Sequence, residues 1–280
     1  MSGRGIFLRS LVCLALASMA SGTENLAAKE PKTVFFAGRV AAVVDGQTVR
    51  LEQGGEVRLL GINIPPGENE KVVSVLKSLL EAQEVQLIET GPHRDRWRRL
   101  VAQVMRADGL WIQGHLVREG LVRVTGDPDH RMMLTELLHL EDQARQARRG
   151  IWGNKDLSPR RAAFMPRATG TFEVVEGTVL SAAVVGGRGY LNFGEDRNRD
   201  FTIAAEPEVM RTFTKSGIDW RRYQGRQIRV RGHVGFFAGP RIDVTYPEQI
   251  EIVGDASPLA VQSERTNDPT ANDPSLAERP

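Results

Sequence analysis

A mainly β chain with added helices, built as two five-stranded barrels in tandem, is the fold class this 280-residue sequence predicts. Three observations carry the prediction. Runs rich in Val, Phe and Leu are short and punctuated by glycine turns. A helical segment interrupts the runs in each half after the third strand. A connector containing proline, arginine and alanine, Pro159 to Gly170, separates the halves. At roughly 100–200 residues per domain, the length accommodates two modest domains.

From Thr33 to Leu60 the pattern gives a three-strand meander with turns at Asp45-Gly46 and Gly54-Gly55. A helix follows. Glu68 and Glu70 suit its N-terminal dipole, and Val72, Val75, Leu76, Leu79 and Leu80 form a core-facing stripe at i, i+3, i+4, i+7 spacing. Val85 to Ile88 and Leu100 to Met105 are the next strands. A short helix over Ile112 to Glu119 stops at Gly120, a good C-cap residue. Asp127 and Pro128 are placed to cap and begin the last helix, in which Leu134, Leu137, Leu138 and Glu141 follow at helical spacing. That helix is expected to run towards Arg148-Arg149 and end at Gly150. Three strands, a helix, two strands and two helices is the element order of an OB barrel with three packed helices, an order several folds share.

The second half repeats the scheme. Strands are expected at Phe172 to Ser181, Gly189 to Phe193, Asp200 to Ala205, Gln227 to His233 and Arg241 to Thr245, with a helix at about Glu208 to Ser216. The expected layout is a domain over 33–155, a linker over 156–170, a second domain over 171–254 and a disordered tail over 255–280. The tail is rich in Pro, Asp, Asn, Ser and Thr, with few large apolar residues.

The formal net charge of +2 says nothing by itself about nucleic acid. The segment from Gly254 holds two arginines against five acids, which leaves the remainder at +5. Residues 1–20 read as a secretory signal, with Arg4 and Arg9 ahead of an apolar core from Leu11 to Ala17 and small residues at Ser18 and Ala20. That run is too short to span a bilayer. The expectation is an exported protein, periplasmic or extracellular, with no stable membrane span. Cys13 is the single cysteine and falls inside the signal, so the mature protein has no internal disulfide. The five histidines show no zinc-type spacing.

The stretch Ala42 to Pro66 contains Asp45-Gly46-Gln47-Thr48, Arg58-Leu59-Leu60 and Asn63-Ile64-Pro65-Pro66. It resembles the active-site region of the thermonuclease (staphylococcal-nuclease-like) family, whose members carry a D-G-D-T turn, an R-L-L strand and a D-T-P-E loop. Leu116-Val117-Arg118-Glu119-Gly120-Leu121 and Gln143 to Trp152 resemble two further motifs of that family, "L-V-R-x-G-L" and a helix ending in "G-I-W". The similarity covers roughly residues 38–153, and it implies a nuclease-type OB barrel. The segments Tyr190 to Gly194, Asp200 to Thr202, Val230 to Gly232 and Gly239-Pro240 resemble an OB-like module found after some bacterial domains of this kind.

The resemblance also implies a chemistry, and this chain departs from it. Such nucleases use Ca²⁺, a glutamate base and two arginines. The family's two principal carboxylate ligands fall on Gln47 and Asn63, and the base falls on Pro66, which has no proton acceptor. Asp45 is retained, but its family equivalent is usually an outer-sphere neighbour of the metal. The two family arginines fall on Arg58 and Arg99. Trp97 stands where the family has a tyrosine that can lie against a base, and Arg98 replaces a glycine. Guanidinium groups hold phosphate oxygens bidentately without a metal, and an aromatic ring adds roughly 1–3 kcal/mol per stacked base.

The expected site is therefore Arg58 and Arg99 as the family's catalytic arginines, with Arg58, Trp97, Arg98 and Arg99 as a nucleic-acid contact. No metal centre is expected and no cofactor. The expected ligands are single-stranded DNA or RNA or another phosphorylated compound, bound without hydrolysis. Two alternatives stand beside this pseudoenzyme reading: a secreted calcium-dependent nuclease with rebuilt ligands, and an envelope protein-interaction scaffold. In the second half, Tyr190, Phe193, Phe201 and Tyr223 with Arg188, Arg221, Arg222, Arg229 and Arg231 are candidate contacts, or else core residues. Arg145, Arg148, Arg149, Lys155, Arg160 and Arg161 form a basic run that suits either a phosphate backbone or a solvated helix face.

Overall fold

Alternation of apolar and polar residues organises the first barrel. In the computed structural model, which describes residues 33–88, 90–166, 170–196 and 198–255, β1 (Val34–Asp45), β2 (Thr48–Leu51) and β3 (Glu56–Leu59) form the meander. Residues 1–32, where the signal reading falls, and 256–280, most of the expected tail, lie outside the described residues. After β4 (Ile62–Asn63) come α1 (Asn69–Leu80), β5 (Glu84–Ile88) and β6 (Leu100–Arg106). These strands close a barrel in the order β1-β2-β3-β6-β5, with β3 parallel to β6 and the other pairs antiparallel. Closure leaves no free edge. Val40, Val49, Val57, Leu59, Leu87 and Val104 fill the interior, and α1 adds Val72, Leu76 and Leu80 to the same core. Val75 and Leu79, also on the expected stripe, pack against it at its margin.

The remaining helices of this half are α2 (Ile112–Arg118) and α3 (Leu134–Gln146), with the short β7 (Arg123–Val124) between them pairing antiparallel with β4. Gly120 ends α2 with φ +63, and Gly150 follows α3 with φ +52. The two glycines face each other: a Cβ on either would lie 2.2 Å from a backbone oxygen, that of Arg149 or of Gly120. The expected start of α3 is corrected. The Asp127 side chain accepts the Asp129 N–H, 2.9 Å, in a separate turn, and the helix begins only after Met133 reverses the chain at φ +63. Pro128 therefore serves that turn and not the helix, because the His130 ring ties the turn back to the Pro92 carbonyl, 2.8 Å.

The second half repeats the pairing order. Its strands are β8 (Arg160–Arg161), β9 (Phe172–Thr178), β10 (Ser181–Val185), β11 (Arg188–Asn192) and β12 (Thr202–Ala205). After α4 (Pro207–Lys215) come β13 (Arg226–Phe237), β14 (Gly239–Val244) and β15 (Ile250–Asp255). The sheet runs β10-β11-β12-β14-β13-β9, with β12 parallel to β14 as β3 is to β6. β9 pairs with β13 and β10 with β11, so these two are halves of one first strand, broken near Val179 and Leu180. The result is a tandem OB-type arrangement. Three strands of this half were not foreseen: β8, inside the expected linker, adds in parallel to β9, β10 lies almost wholly beyond the strand expected to end at Ser181, and β15 pairs with β13.

The described residues fall in one compact unit, and charge fastens its halves together. Glu141 on α3 and Arg231 on β13 both have fully buried side chains and meet at 2.8 Å. Arg231 also donates to the Val124 carbonyl, 3.0 Å, and pairs with Glu251. Burial works against the Arg231 charge, but Glu141 and Glu251 raise its pKa overall. Arg123 on β7 crosses the same junction to the Phe172 carbonyl, 3.0 Å, and to Glu173. Tyr246, from the second half, packs into the core of the first.

Candidate functional site

The turn between β1 and β2 opens the site. The Asp45 carboxylate accepts the Gln47 N–H at 2.7 Å, and the Gly46 N–H donates to the Asn69 side chain at 3.2 Å. Glycine at 46 lets the Ile64 side chain close on the turn, because a Cβ there would lie 2.2 Å from Ile64 Cδ1 and push it aside. The Gln47 side-chain amide donates to the Ile62 carbonyl. Position 47 is thus tied to β4, the strand that carries Asn63.

Arg58 comes from β3. Its neighbours Val57 and Leu59 point into the barrel, so alternation sends Arg58 outward, half-buried, across from Thr48 on β2. Among the described residues no ion pair or hydrogen bond engages its guanidinium. It lines an open cleft of about 540 Å³ together with Asp45, Gln47, Pro66, Trp97 and Arg99.

Trp97 and Arg99 reach the cleft from the loop before β6, and Asp95 shapes that loop. One Asp95 oxygen accepts the backbone N–H groups of Trp97, 2.9 Å, and Arg99, 3.0 Å. The other meets Arg99 Nε and Nη2, each at 2.9 Å. Burial pushes the Asp95 carboxyl pKa up, but the Arg99 side chain and the two amide hydrogen bonds together hold it below its ordinary value of 3.8. Trp97 is 57% exposed, with the Arg96 guanidinium carbon 3.9 Å and that of Arg99 5.1 Å from its ring centre.

Six of the positions singled out in the sequence therefore meet in one cleft: Asp45, Gln47, Arg58, Pro66, Trp97 and Arg99. Two do not line it. Asn63 pairs with Arg123 across β4 and β7. Arg98 is exposed and takes φ +66, a left-handed conformation that favours glycine. Glu68 precedes α1 and pairs with Lys71 at 3.8 Å.

Sequence reasoning gave no role to Asp95 or Asn69. The i, i+4 spacing of Asp95 and Arg99 was the available signal for the first; Asn69 carried none. In the second half Phe201 and Tyr223 are core residues, 1% and 3% exposed, so neither offers a stacking face. Of the basic run, Arg145 pairs with Glu141 and Asp142, and Arg160 pairs with Glu173. Among the described residues no group of three or more His, Cys, Asp or Glu side chains is placed to hold a metal ion, and no helix is long and apolar enough to cross a membrane.

Comparison with known proteins agrees with this geometry. The sequence profile of the family described as Staphylococcal nuclease homologue matches residues 56–154. A protein of Escherichia coli O157:H7 named as an uncharacterized endonuclease is 30% identical over 128 residues, which span 44% of this chain and 80% of that protein. A protein of Escherichia coli with the same name matches to the same extent. An uncharacterized Bacillus anthracis protein is 27% identical over 133 residues, spanning 42% of this chain and 61% of that protein. With its closed barrel, the parallel β3–β6 pair and these matches, the chain belongs to the staphylococcal nuclease homologue family.

Proposed function

We propose that this is an exported nuclease-fold protein that binds single-stranded nucleic acid or a related phosphorylated ligand in the first barrel's cleft without hydrolysing it. The pairing state of the two arginines carries the reading. Arg99 is fixed by Asp95, whereas Arg58 faces the cleft with its guanidinium unspent among the described residues. A cation held in a cleft without a carboxylate partner is a ready receptor for phosphate oxygen. Trp97, exposed beside both arginines, supplies a face for a base.

The donor set does not suit a calcium centre. Calcium takes six to eight oxygen ligands and depends on carboxylates. Asp45 is the one carboxylate lining the cleft among the described residues, and one of its oxygens already accepts the Gln47 N–H. The Gln47 amide nitrogen is committed to Ile62, and Pro66 offers no base. Losing a positioned base costs about 10²–10⁴ in rate before any metal is considered. The names of the Escherichia coli relatives favour the competing reading, a working endonuclease.

Heat-denatured DNA with added Ca²⁺ separates the two readings. The expected result is salt-sensitive binding that weakens at least about tenfold in Arg58→Ala, since charge-assisted hydrogen bonds contribute roughly 1.5–3 kcal/mol, with no cutting by the native chain. Chelator-sensitive cutting confined to the triple variant Gln47→Asp, Asn63→Asp, Pro66→Glu would strengthen the reading. Chelator-sensitive cutting by the native chain would sink it.

A further inference from the structure

The second barrel has a groove of its own, about 770 Å³, between the β10–β11 hairpin, α4 and the turn after it. Gly189 makes its floor possible. A Cβ there would lie 2.4 Å from the Met210 sulfur and 2.7 Å from the Trp220 ring, so only glycine lets both close on β11. Trp220 is locked by its indole N–H, which donates to the Tyr190 carbonyl at 3.2 Å. Val184, Met210 and Ile218 complete an apolar wall, and Arg211, Lys215 and Arg221 stand along its rim.

Charge sorts these cations from most of the others on the second barrel, although the exposed Arg222, which does not line the groove, is likewise in no ion pair among the described residues. Arg188 pairs with Glu206, Arg229 with Glu176, Arg231 with Glu141, and Arg241 with Asp243. Arg211, Lys215 and Arg221 are exposed, and none is in an ion pair among the described residues. Arg211 and Lys215 lie four apart on α4 and so share a face. The one acid lining the groove, Asp219, uses a carboxylate oxygen to accept the Arg221 backbone N–H, 3.0 Å. Uncompensated positive charge thus collects at one apolar groove.

An apolar wall with a cationic rim fits a ligand that alternates flat apolar groups with anions. An acyl chain fits less well, because the groove is open along its side and would leave the chain in water. We propose that this groove is a second single-stranded nucleic-acid subsite, with bases against Met210 and Ile218 and phosphates at Arg211, Lys215 and Arg221. The proposal rests on the first cleft being a nucleic-acid site, and it gives the second barrel a share in holding the same kind of strand.

The test uses the full chain, a labelled oligodeoxythymidine of about 20 nucleotides, and vesicles of phosphatidylglycerol and phosphatidylcholine. Binding is followed by fluorescence anisotropy between about 0.1 and 1 M salt. Each cation removed should lower the slope of log affinity against log salt by about 0.7. The double variant Arg211→Gln, Lys215→Gln should therefore lose about 1.4 in slope and about 25-fold in affinity at 0.1 M salt, with its melting temperature unchanged. An unchanged slope and affinity in this variant, while Arg58→Ala still weakens binding, would overturn the groove and leave the cleft standing. Weakening in the double variant but not in Arg58→Ala would support the groove and remove the cleft. No binding by the native chain would overturn both. Vesicle capture lost in the double variant with DNA binding intact would overturn the proposal in favour of a lipid surface.

Discussion

The Asp95 carboxylate is mostly withdrawn from solvent, 11% exposed, and both its oxygens are spent inside one loop. Two backbone N–H groups fix the turn that displays Trp97, and the Arg99 guanidinium is held at the cleft edge. Under the proposed function, Arg99 would consequently lose little side-chain entropy on meeting a phosphate, whereas Arg58 would have to be ordered by the ligand. Asp95→Asn should keep much of the turn but release the guanidinium. Oligonucleotide affinity should then fall by roughly three- to tenfold, less than in Arg99→Ala, as a charge-assisted contact is loosened and not deleted. The same carboxylate predicts a pH effect. Its folded pKa lies below the ordinary 3.8, so its contribution to stability is present above that value and is lost as pH falls through the lower folded value. Melting curves recorded down through this range should show the native chain's advantage over Asp95→Asn disappearing below about pH 3.8.

At the scale of elements, the ends of α2 and α3 lock together through two glycines. The Ile151 N–H donates to the Gly120 carbonyl at 2.8 Å, and the Gly120 N–H donates to the Val117 carbonyl at 2.9 Å. Ile151 and Trp152 then pack on Ala144 of α3 as a separate small core. Gly120→Ala meets two penalties, a left-handed φ of +63 and a Cβ at 2.2 Å from the Arg149 oxygen, a backbone atom that cannot swing aside. A loss of at least about 2 kcal/mol is expected in denaturant unfolding, whereas Gly54→Ala, whose Cβ would meet nothing within 4 Å, should lose only the left-handed cost of about 1–2 kcal/mol. Equal losses would show that the helix-end contact adds nothing.

For the whole molecule, the junction between the barrels decides cooperativity. Glu141 accepts the Val124 N–H at 2.6 Å with one oxygen and meets Arg231 and Arg145 with the other, all without solvent. Removing Arg231 takes away the shorter of that carboxylate's two cation contacts and leaves only Arg145, at 3.4 Å. Arg231→Ala should cost about 3–5 kcal/mol, whereas Arg231→Met combined with Glu141→Gln should recover much of it, because a poorly paired buried charge is the principal penalty. The variant should unfold in two transitions by calorimetry if the ion pairs bind the halves into one unit. A single transition at the native temperature would contradict this account. β7 lies under Arg231 and pairs with β4, so the junction also supports the strand that holds Asn63 and receives Gln47.

Local pattern determined much of this protein. Alternation placed Arg58 on the outer face of β3, the helical stripe placed Val72, Leu76 and Leu80 in the core, and the absence of a carboxylate at Gln47, Asn63 and Pro66 is plain from residue identity. The Arg58, Trp97 and Arg99 grouping was legible because the motifs carrying it are short and keep their order. Glu141 in an apolar helical stripe was a visible anomaly whose meaning was not, since its partner Arg231 lies 90 residues away. Likewise Arg211, Arg229 and Arg231 look alike in the sequence, yet one is exposed at a groove and two are consumed in ion pairs. The late start of α3 and the β8 and β15 pairings were also hidden. The reason is common to all of these: periodicity and turn chemistry act over a few neighbouring residues, whereas pairing and neutralisation of charge depend on which distant segments the folded chain brings together.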